Sequence, residues 1–302
     1  MIRIVTVMDN QMSGHKALKA QHGLSFYIQK DDTRLLFDFG SGPETWENGR
    51  KLHVPFEQID YAVFSHSHYD HSGGFLWAAE YGLDAAAVYG REDCFFQEKY
   101  ARKEAASGHK LYTYLGCGFS KEYVMAHTRQ QLVCEDCLKL AEGCWAVGNF
   151  QRGTDFEPIP ARYVKDTGSR REEDRAESGR EAAGKAADGI WIPDQFQDEI
   201  CLALEIDGGK GLAVAAGCSH PGIINMLRTV EARLKKPVKA VIGGVHLSKA
   251  EDYRISQTVQ AFRTLGVEFA ALNHCSGDRI DRELKAQKIE SCHLGVGDCL
   301  YL

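Results

Sequence analysis

Short apolar runs broken by Gly, Pro and Asp recur along the chain. Alternating apolar and polar positions over residues 2–8, 24–29 and 34–39 predict three early strands at the spacing of an antiparallel meander. Pro43 followed by Glu44 marks the start of a helix over 43–51. The apolar run at 61–65 (YAVFS) reads as a buried strand that empties into the polar stretch HSHYDHSGG; a helix over 74–81 and a strand over 85–89 follow. The second half repeats a strand-then-helix rhythm. Strands are expected at 200–206, 212–216, 240–245 and 267–272, helices at 223–235, 250–265 and 278–287, and the chain closes on the apolar CLYL. The GGKG turn at 208–211 lacks the residues of a phosphate-binding loop and reads as a hairpin. This alternation points to a layered α/β architecture.

The stretch 91–189 breaks the rhythm. Its first part reads as helical and carries cysteines; its last part, 165–189, is dense in mixed charge and nearly free of large apolar side chains. Such a segment buries too little surface to offset its ordering entropy, so a mobile loop or solvated helix is expected there. A chain of 302 residues can form one large domain or two ordinary ones. A formal net charge of −6 argues against a general nucleic-acid binder. The opening MIRIVTVMDNQM lacks the features of a secretory signal. No stretch approaches the roughly 20 apolar residues of a membrane span. The expected setting is the cytoplasm, with neither membrane nor nucleic acid as partner and oligomeric state open. There the ten cysteines read as reduced thiols rather than a disulfide framework. Ten Cys and twelve His together raise the question of a metal.

The densest chemistry is His66-Ser67-His68-Tyr69-Asp70-His71, three imidazoles and a carboxylate directly after a strand. Neutral imidazole nitrogen and carboxylate oxygen are ligands that Zn²⁺ and similar ions accept. His66 and His68, two apart in an extended segment, point the same way and can share one ion. A turn near Asp70 can bring Asp70 and His71 onto a second, and Gly73-Gly74 permits the tight backbone that follows. A His-rich polar loop without metal is the bland alternative; four ligand-type residues at this spacing outweigh it.

SHSHYDHSGG resembles the HxHxDH signature of the metallo-β-lactamase superfamily. HGLSFYI (22–28), LLFDFG (35–40), AAGCSHPGIIN (215–225), IGGVHL (242–247) and NHCSG (273–277) follow in the order of the branch that includes the archaeal dihydropterin ribofuranosyl-aminobenzene-phosphate synthase and related bacterial metal-dependent hydrolases. The resemblance covers both ends of the chain and omits most of 91–189. It implies a four-layer αβ/βα sandwich, a single domain over 1–302 with a long insertion at 91–189. It also implies two divalent ions, Zn with Mn or Fe as other candidates. His66, His68 and His220 would hold the first ion, and Asp70, His71 and His274 the second. Gly217-Cys218 stands where the superfamily has a bridging Asp, so a thiolate or nothing bridges. The separate third His is missing: only His109 and His127 lie between, both inside the atypical middle.

Other residues carry weaker signals. His246 ends a strand and is expected as a ligand or as general acid, beside Asp70 as the second catalytic group. His22 can reach the site, and Asp38 can brace a ligating imidazole. Cys134 and Cys137 with Cys144, and Cys117, Cys94 or His127 as a fourth donor, look like a fragment of a zinc or iron–sulfur site, though a set of buried thiols explains them more simply. The expected activity is hydrolysis of a small phosphoester, ester or related substrate by a metal-bound hydroxide. Metal-assisted alkyl transfer to a pterin, a redox or metal-sensing role and a non-catalytic scaffold are the alternatives. Elemental analysis and a substrate panel separate them.

Overall fold

The computed structural model describes residues 1–167 and 190–302. Two seven-stranded sheets stack face to face, and helices cover their outer faces. The first sheet runs β18-β1-β2-β3-β4-β5-β8. Its members are β1 (Ile2–Met8), β2 (Ser25–Lys30), β3 (Thr33–Phe37), β4 (Tyr61–Val63), β5 (Ala86–Tyr89), β8 (Gln130–Val133) and β18 (Cys299–Tyr301). The second runs β17-β16-β15-β14-β13-β10-β9. It comprises β9 (Cys137–Ala141), β10 (Cys144–Val147), β13 (Cys201–Ile206), β14 (Gly211–Ala216), β15 (Val238–Gly243), β16 (Phe269–Leu272) and β17 (Glu290–Cys292).

Period-two alternation makes the layers. In β14, Ala213 and Ala215 face the other sheet, while Leu212, Val214 and Ala216 face the helices. In β1, Ile2 and Ile4 point between the sheets, and Val5 and Val7 pack outward with Trp46, Phe56 and Phe75. The outer helices are α1 (Glu44–Lys51) on the first sheet, and α5 (Ile223–Leu234), α6 (Asp252–Leu265) and α7 (Arg279–Ala286) on the second. Shorter α2 (Tyr69–Ser72), α3 (Glu92–Phe95) and α4 (Lys121–Ala126) lie between them in sequence. This is the expected four-layer αβ/βα sandwich. Among the described residues, no helix is long and apolar enough to cross a membrane.

Several boundaries move for local reasons. The strand expected to 39 stops at Phe37 because Asp38 takes a left-handed φ of 61°, and the one expected to 245 stops at Gly243, where φ is 101°. The helix expected over 74–81 is a run of 3-10 turns, Gly73–Tyr81. The GGKG segment does join antiparallel β13 and β14.

The first part of the middle stretch is mostly strand rather than helical. β8, β9 and β10 are woven into the two main sheets. β6 (Glu98–Glu104), β7 (Lys110–Tyr114), β11 (Tyr163–Asp166) and β12 (Trp191–Pro193) form a separate four-stranded sheet, β12-β11-β6-β7. Its residues EKYARKE and KLYTY show no apolar stripe, and Glu, Lys, Arg and Ala favour helix in isolation; pairing with β11 and β7 overrides that preference. From residue 168 on, the charged run expected as a loop or solvated helix lies outside the described residues.

The small sheet docks on the ligand-type motif. Tyr69 N donates to Leu115 O at 2.8 Å, and Leu115 N to Lys99 O at 2.8 Å. The parallel strands β4, β14, β15 and β16 all end on one side of the sandwich, where an open α/β sheet presents its ligands.

Candidate metal centre

Four strand ends deliver the side chains. β4 leads into His66, His68, Asp70 and His71; β14 into Cys218 and His220; β15 into His246; β16 into His274 and Cys275. The backbone here is unusual: Asp38, Ser219, His246 and His274 all take positive φ, 51–62°. Such conformations cost energy and persist only where surrounding contacts fix them. Asp9 and Asn10 fix His274: Asp9 Oδ1 accepts its backbone N–H at 2.7 Å, and Asn10 contacts its Nδ1 at 3.1 Å and donates to its carbonyl at 3.1 Å. The Ser219 Oγ donates to Gly244 O at 2.7 Å.

The imidazoles converge. Donor atoms of His66, His68 and His220 lie within 4.8 Å of one another, as do those of His66, His71 and Cys218. Three further groups meet the same limit: Cys218 with His274 and Cys275, Cys218 with His220 and His246, and His22 with Asp70 and His274. Every expected ligand therefore sits in one or more of these groups, and Cys218 belongs to three. His71 Nε2 is 3.1 Å from both Cys218 Sγ and His274 Nε2. Asp70 Oδ2 is 3.2 Å from His22 Nε2 and 3.5 Å from His274 Nε2. His246 Nε2 contacts the Tyr163 hydroxyl at 3.2 Å.

A shell of polar groups aims these rings. Asp38, fully buried, accepts from Ser65 N and Oγ at 2.7 Å each and meets His71 Nδ1 at 2.6 Å, leaving Nε2 to face inward. Ser65 Oγ also meets His66 Nδ1 at 2.9 Å. Gly217 has to lack a side chain here, because a Cβ would come within 2.1 Å of Ser65 Oγ. Buried Glu199 accepts from Ser219 N and His220 N at 2.6 and 2.9 Å, and Phe196 stacks on the His220 ring with centroids 3.9 Å apart. Asp198 accepts from Ser67 N and Oγ at 3.1 Å and is paired with buried Lys99 at 2.5 Å, tying β6 to the motif.

Burial holds the first group neutral. It pushes His66 and His220 well below 6.5 and His68 down to about 3. The second group is polarised the other way. Burial opposes ionisation of Asp70, yet His71, with hydrogen bonds from His22 and His274, holds it well below the ordinary carboxylate range. His274 is buried too, but Asp70 and Cys275 raise it to about 9. Burial pushes the Cys218 thiol up.

The donor set fits divalent metal. His66 Nε2, both His220 nitrogens and His246 Nδ1 are buried without a hydrogen-bond partner. Leaving one such group unpaired costs about 1–3 kcal/mol; His66 and His220 share a donor group with His68, and a cation there would take up one nitrogen from each ring. Neutral imidazoles beside a carboxylate and thiols are the chemistry of Zn²⁺ or a similar ion.

Other sequence candidates fall elsewhere. His109 contacts Ser107 at 2.8 Å at an exposed hairpin, and His127 stacks on Tyr123 at 4.0 Å, so neither replaces the missing third His. Among the described residues, none of Cys94, Cys117, Cys134, Cys137 and Cys144 joins a group of three donors; Cys134 donates to Ala146 O at 3.3 Å. The motifs did not single out Asp9, Asn10, Lys99, Tyr163, Phe196, Asp198 or Glu199. Only Asp198-Glu199, an acidic pair just before an apolar strand, left a trace that could have been read.

Comparison with known proteins places the fold. Residues 18–132 match the sequence model of the metallo-beta-lactamase superfamily. The 7,8-dihydropterin-6-methyl-4-(beta-D-ribofuranosyl)-aminobenzene-5'-phosphate synthase of Methanocaldococcus jannaschii is 27% identical over 306 residues, covering 97% of this chain and 95% of that protein. An uncharacterized protein of the same organism is 28% identical over 278 residues, covering 92% and 91%. Tm1679, a metal-dependent hydrolase of the beta-lactamase superfamily, superposes with a TM-score of 0.77 at 25% identity, over 100% of this chain and 99% of that one.

Proposed function

From the premise that this chain is a metallo-β-lactamase fold protein, similar along nearly its whole length to an archaeal pterin synthase, we propose that it is a metal-dependent hydrolase of a small phosphoester, ester or related substrate. The observation that carries the reading is the set of buried imidazole nitrogens without partners, gathered beside His68 and Cys218. His66, His68 and His220 would hold one ion; Asp70, His71 and His274, with Cys218 beside them, would hold the other. Divalent ions bound there would supply Lewis acidity and lower the pKa of water toward neutrality.

The chain's own residues do the rest. Asp38, Ser65 and Asn10 fix which ring nitrogens of His71, His66 and His274 face the centre. Asp70 orients the attacking water. His246, steadied at Nε2 by Tyr163, gives a proton to the leaving group. Phe196 and Tyr163 wall the imidazole group and keep bulk water from it.

A second reading, metal-assisted alkyl transfer joining a pterin to an aryl amine, is favoured by the near-complete alignment with the pterin synthase. One experiment separates the two. Metal-loaded protein is offered a panel of phosphodiesters, phosphomonoesters and thioesters, and in parallel a dihydropterin alcohol with an aryl amine. Turnover in the ester panel, lost in His68→Ala together with metal content, supports hydrolysis. Silence in that panel with product from the pterin pair replaces it with transfer. Unchanged metal content in both His68→Ala and Asp70→Ala overturns the centre.

A further inference from the structure

The sulfur atoms at the centre go beyond the ligand set just described. We propose that Cys275 is a further metal ligand, forming with Cys218 and His274 a sulfur-rich half of the centre opposite the all-nitrogen half of His66, His68 and His220. This rests on the metal reading above and deepens it, because it sets which ions the centre takes.

Cys275 is built into position. Its Sγ accepts the backbone N–H of His246 at 3.3 Å and lies 3.8 Å from Cys218 O. A Cβ on Gly244 would come within 2.8 Å of that sulfur, so the second glycine of IGGVHL makes the room it occupies. Its Sγ, Cys218 Sγ and a ring nitrogen of His274 lie within 4.8 Å of one another. Two thiols facing one another in a largely buried site make only weak hydrogen bonds. A cation held between them and the imidazole satisfies all three. Cys218, shared by three donor groups, stands between the two halves and can serve both. Asp70 groups with His22 and His274, so the carboxylate and the two sulfurs gather around the same imidazole.

Two sulfurs and an imidazole make a soft donor set. Such a set selects Zn²⁺, Co²⁺ or Fe²⁺ over Mg²⁺ or Mn²⁺, which prefer oxygen. The half formed by His66, His68 and His220 carries no such bias toward sulfur-seeking ions.

Cobalt substitution reads this directly. Protein stripped by chelator and loaded with Co²⁺ should show a near-ultraviolet thiolate-to-cobalt charge-transfer band. Cys275→Ser should keep its bound cobalt at the second ion yet lose roughly half the band, Cys218→Ser the same, and the double variant nearly all of it. His68→Ala should retain the band. A Cys275→Ser spectrum matching wild type overturns the proposal, as does cobalt bound without any band. Should the serine variants fail to fold, alkylation of wild-type protein decides: Zn²⁺ should shield Cys275 from iodoacetamide as read by mass spectrometry, and equal labelling with and without Zn²⁺ overturns the assignment. Neither readout uses turnover. A band with no ester hydrolysis therefore sinks the hydrolase reading alone, and hydrolysis without a sulfur band sinks this one alone.

Discussion

At the scale of single residues, the centre depends on groups that never touch substrate. Asp38 is reached by Ser65 and His71 together, so it sets the orientation of a ligand-type imidazole and the end of β3 at once. Asp38→Asn should lower metal affinity about 10–100-fold with the fold intact, measured by competition with a chromophoric chelator. Wild-type affinity in the variant would make Asp38 a structural residue only. The ligand-type residues were legible because their chemistry is local: HSHYDH is contiguous, and His220, His246 and His274 follow strands. Asn10 and Glu199 were not, since they meet their partners only through backbone groups or across the fold. Burial also gives these imidazoles a pH signature. His68 sits at about 3 when folded against an ordinary 6.5, so the unfolded chain binds the extra proton between those values. Its contribution to stability is complete above 6.5 and is lost as pH falls toward 3. Urea unfolding of metal-free protein should therefore show stability dropping with acid over that window, and less steeply in His68→Phe. Identical slopes would show that His68 is not held neutral by burial.

At the scale of elements, most strands of the two main sheets outside 91–189 were readable as alternating or short apolar runs, because they bury apolar side chains between the layers. The small sheet was not, because its strands are chosen by pairing rather than by any apolar stripe. What anchors it is electrostatic. Lys99 on β6 is buried against Asp198 and Asp194, and Asp198 in turn holds Ser67 inside the ligand motif. Lys99→Met leaves two buried carboxylates without their cation and should cost about 3–5 kcal/mol by urea unfolding, whereas replacing exposed Lys103 on the same strand should cost little. A small loss at Lys99 would mean the sheet docks through its backbone bonds alone. The N-terminus of α5 shows a second such device. Gly222 offers no capping side chain, and Glu157 accepts from Ile224 N and Asn225 N instead, at 2.9 and 3.1 Å. Burial raises this carboxyl above its ordinary 4.5 despite those bonds. The folded state thus binds the extra proton, and the group's contribution falls as pH rises through the raised value. Urea unfolding of Glu157→Gln as pH rises from below the ordinary 4.5 should show the variant gaining on wild type. The opposite trend would mean that the helix terminus favours the ionised carboxylate.

At the scale of the whole molecule, residues 1–90 and 190–302 supply most strands of the two stacked sheets and, among the described residues, every member of the grouped donor sets. The stretch between them is less separate than its composition suggested, since β8, β9 and β10 extend the two main sheets. Composition misleads there because edge strands such as Gln130–Val133 need only one buried face and show little apolar pattern. The candidate centre draws its donors from four strand ends on both sheets, so an ion held there would link the halves of the sandwich and bind only the folded state. Linkage then fixes the size of the effect: one ion at a hundredfold excess over its Kd adds about 2.7 kcal/mol. For a chain this long that is on the order of 5 °C in Tm. Stripping with a strong chelator should lower Tm by at least that much, with loss of metal verified by elemental analysis. Zn²⁺ should restore it, and Mg²⁺ at equal concentration should not, because sulfur and imidazole donors discriminate against Mg²⁺. A Tm that stays put once the metal is gone would mean that the ions do not couple the two sheets. Full recovery with Mg²⁺ would mean that oxygen donors, not the thiols and imidazoles, carry the stabilising site.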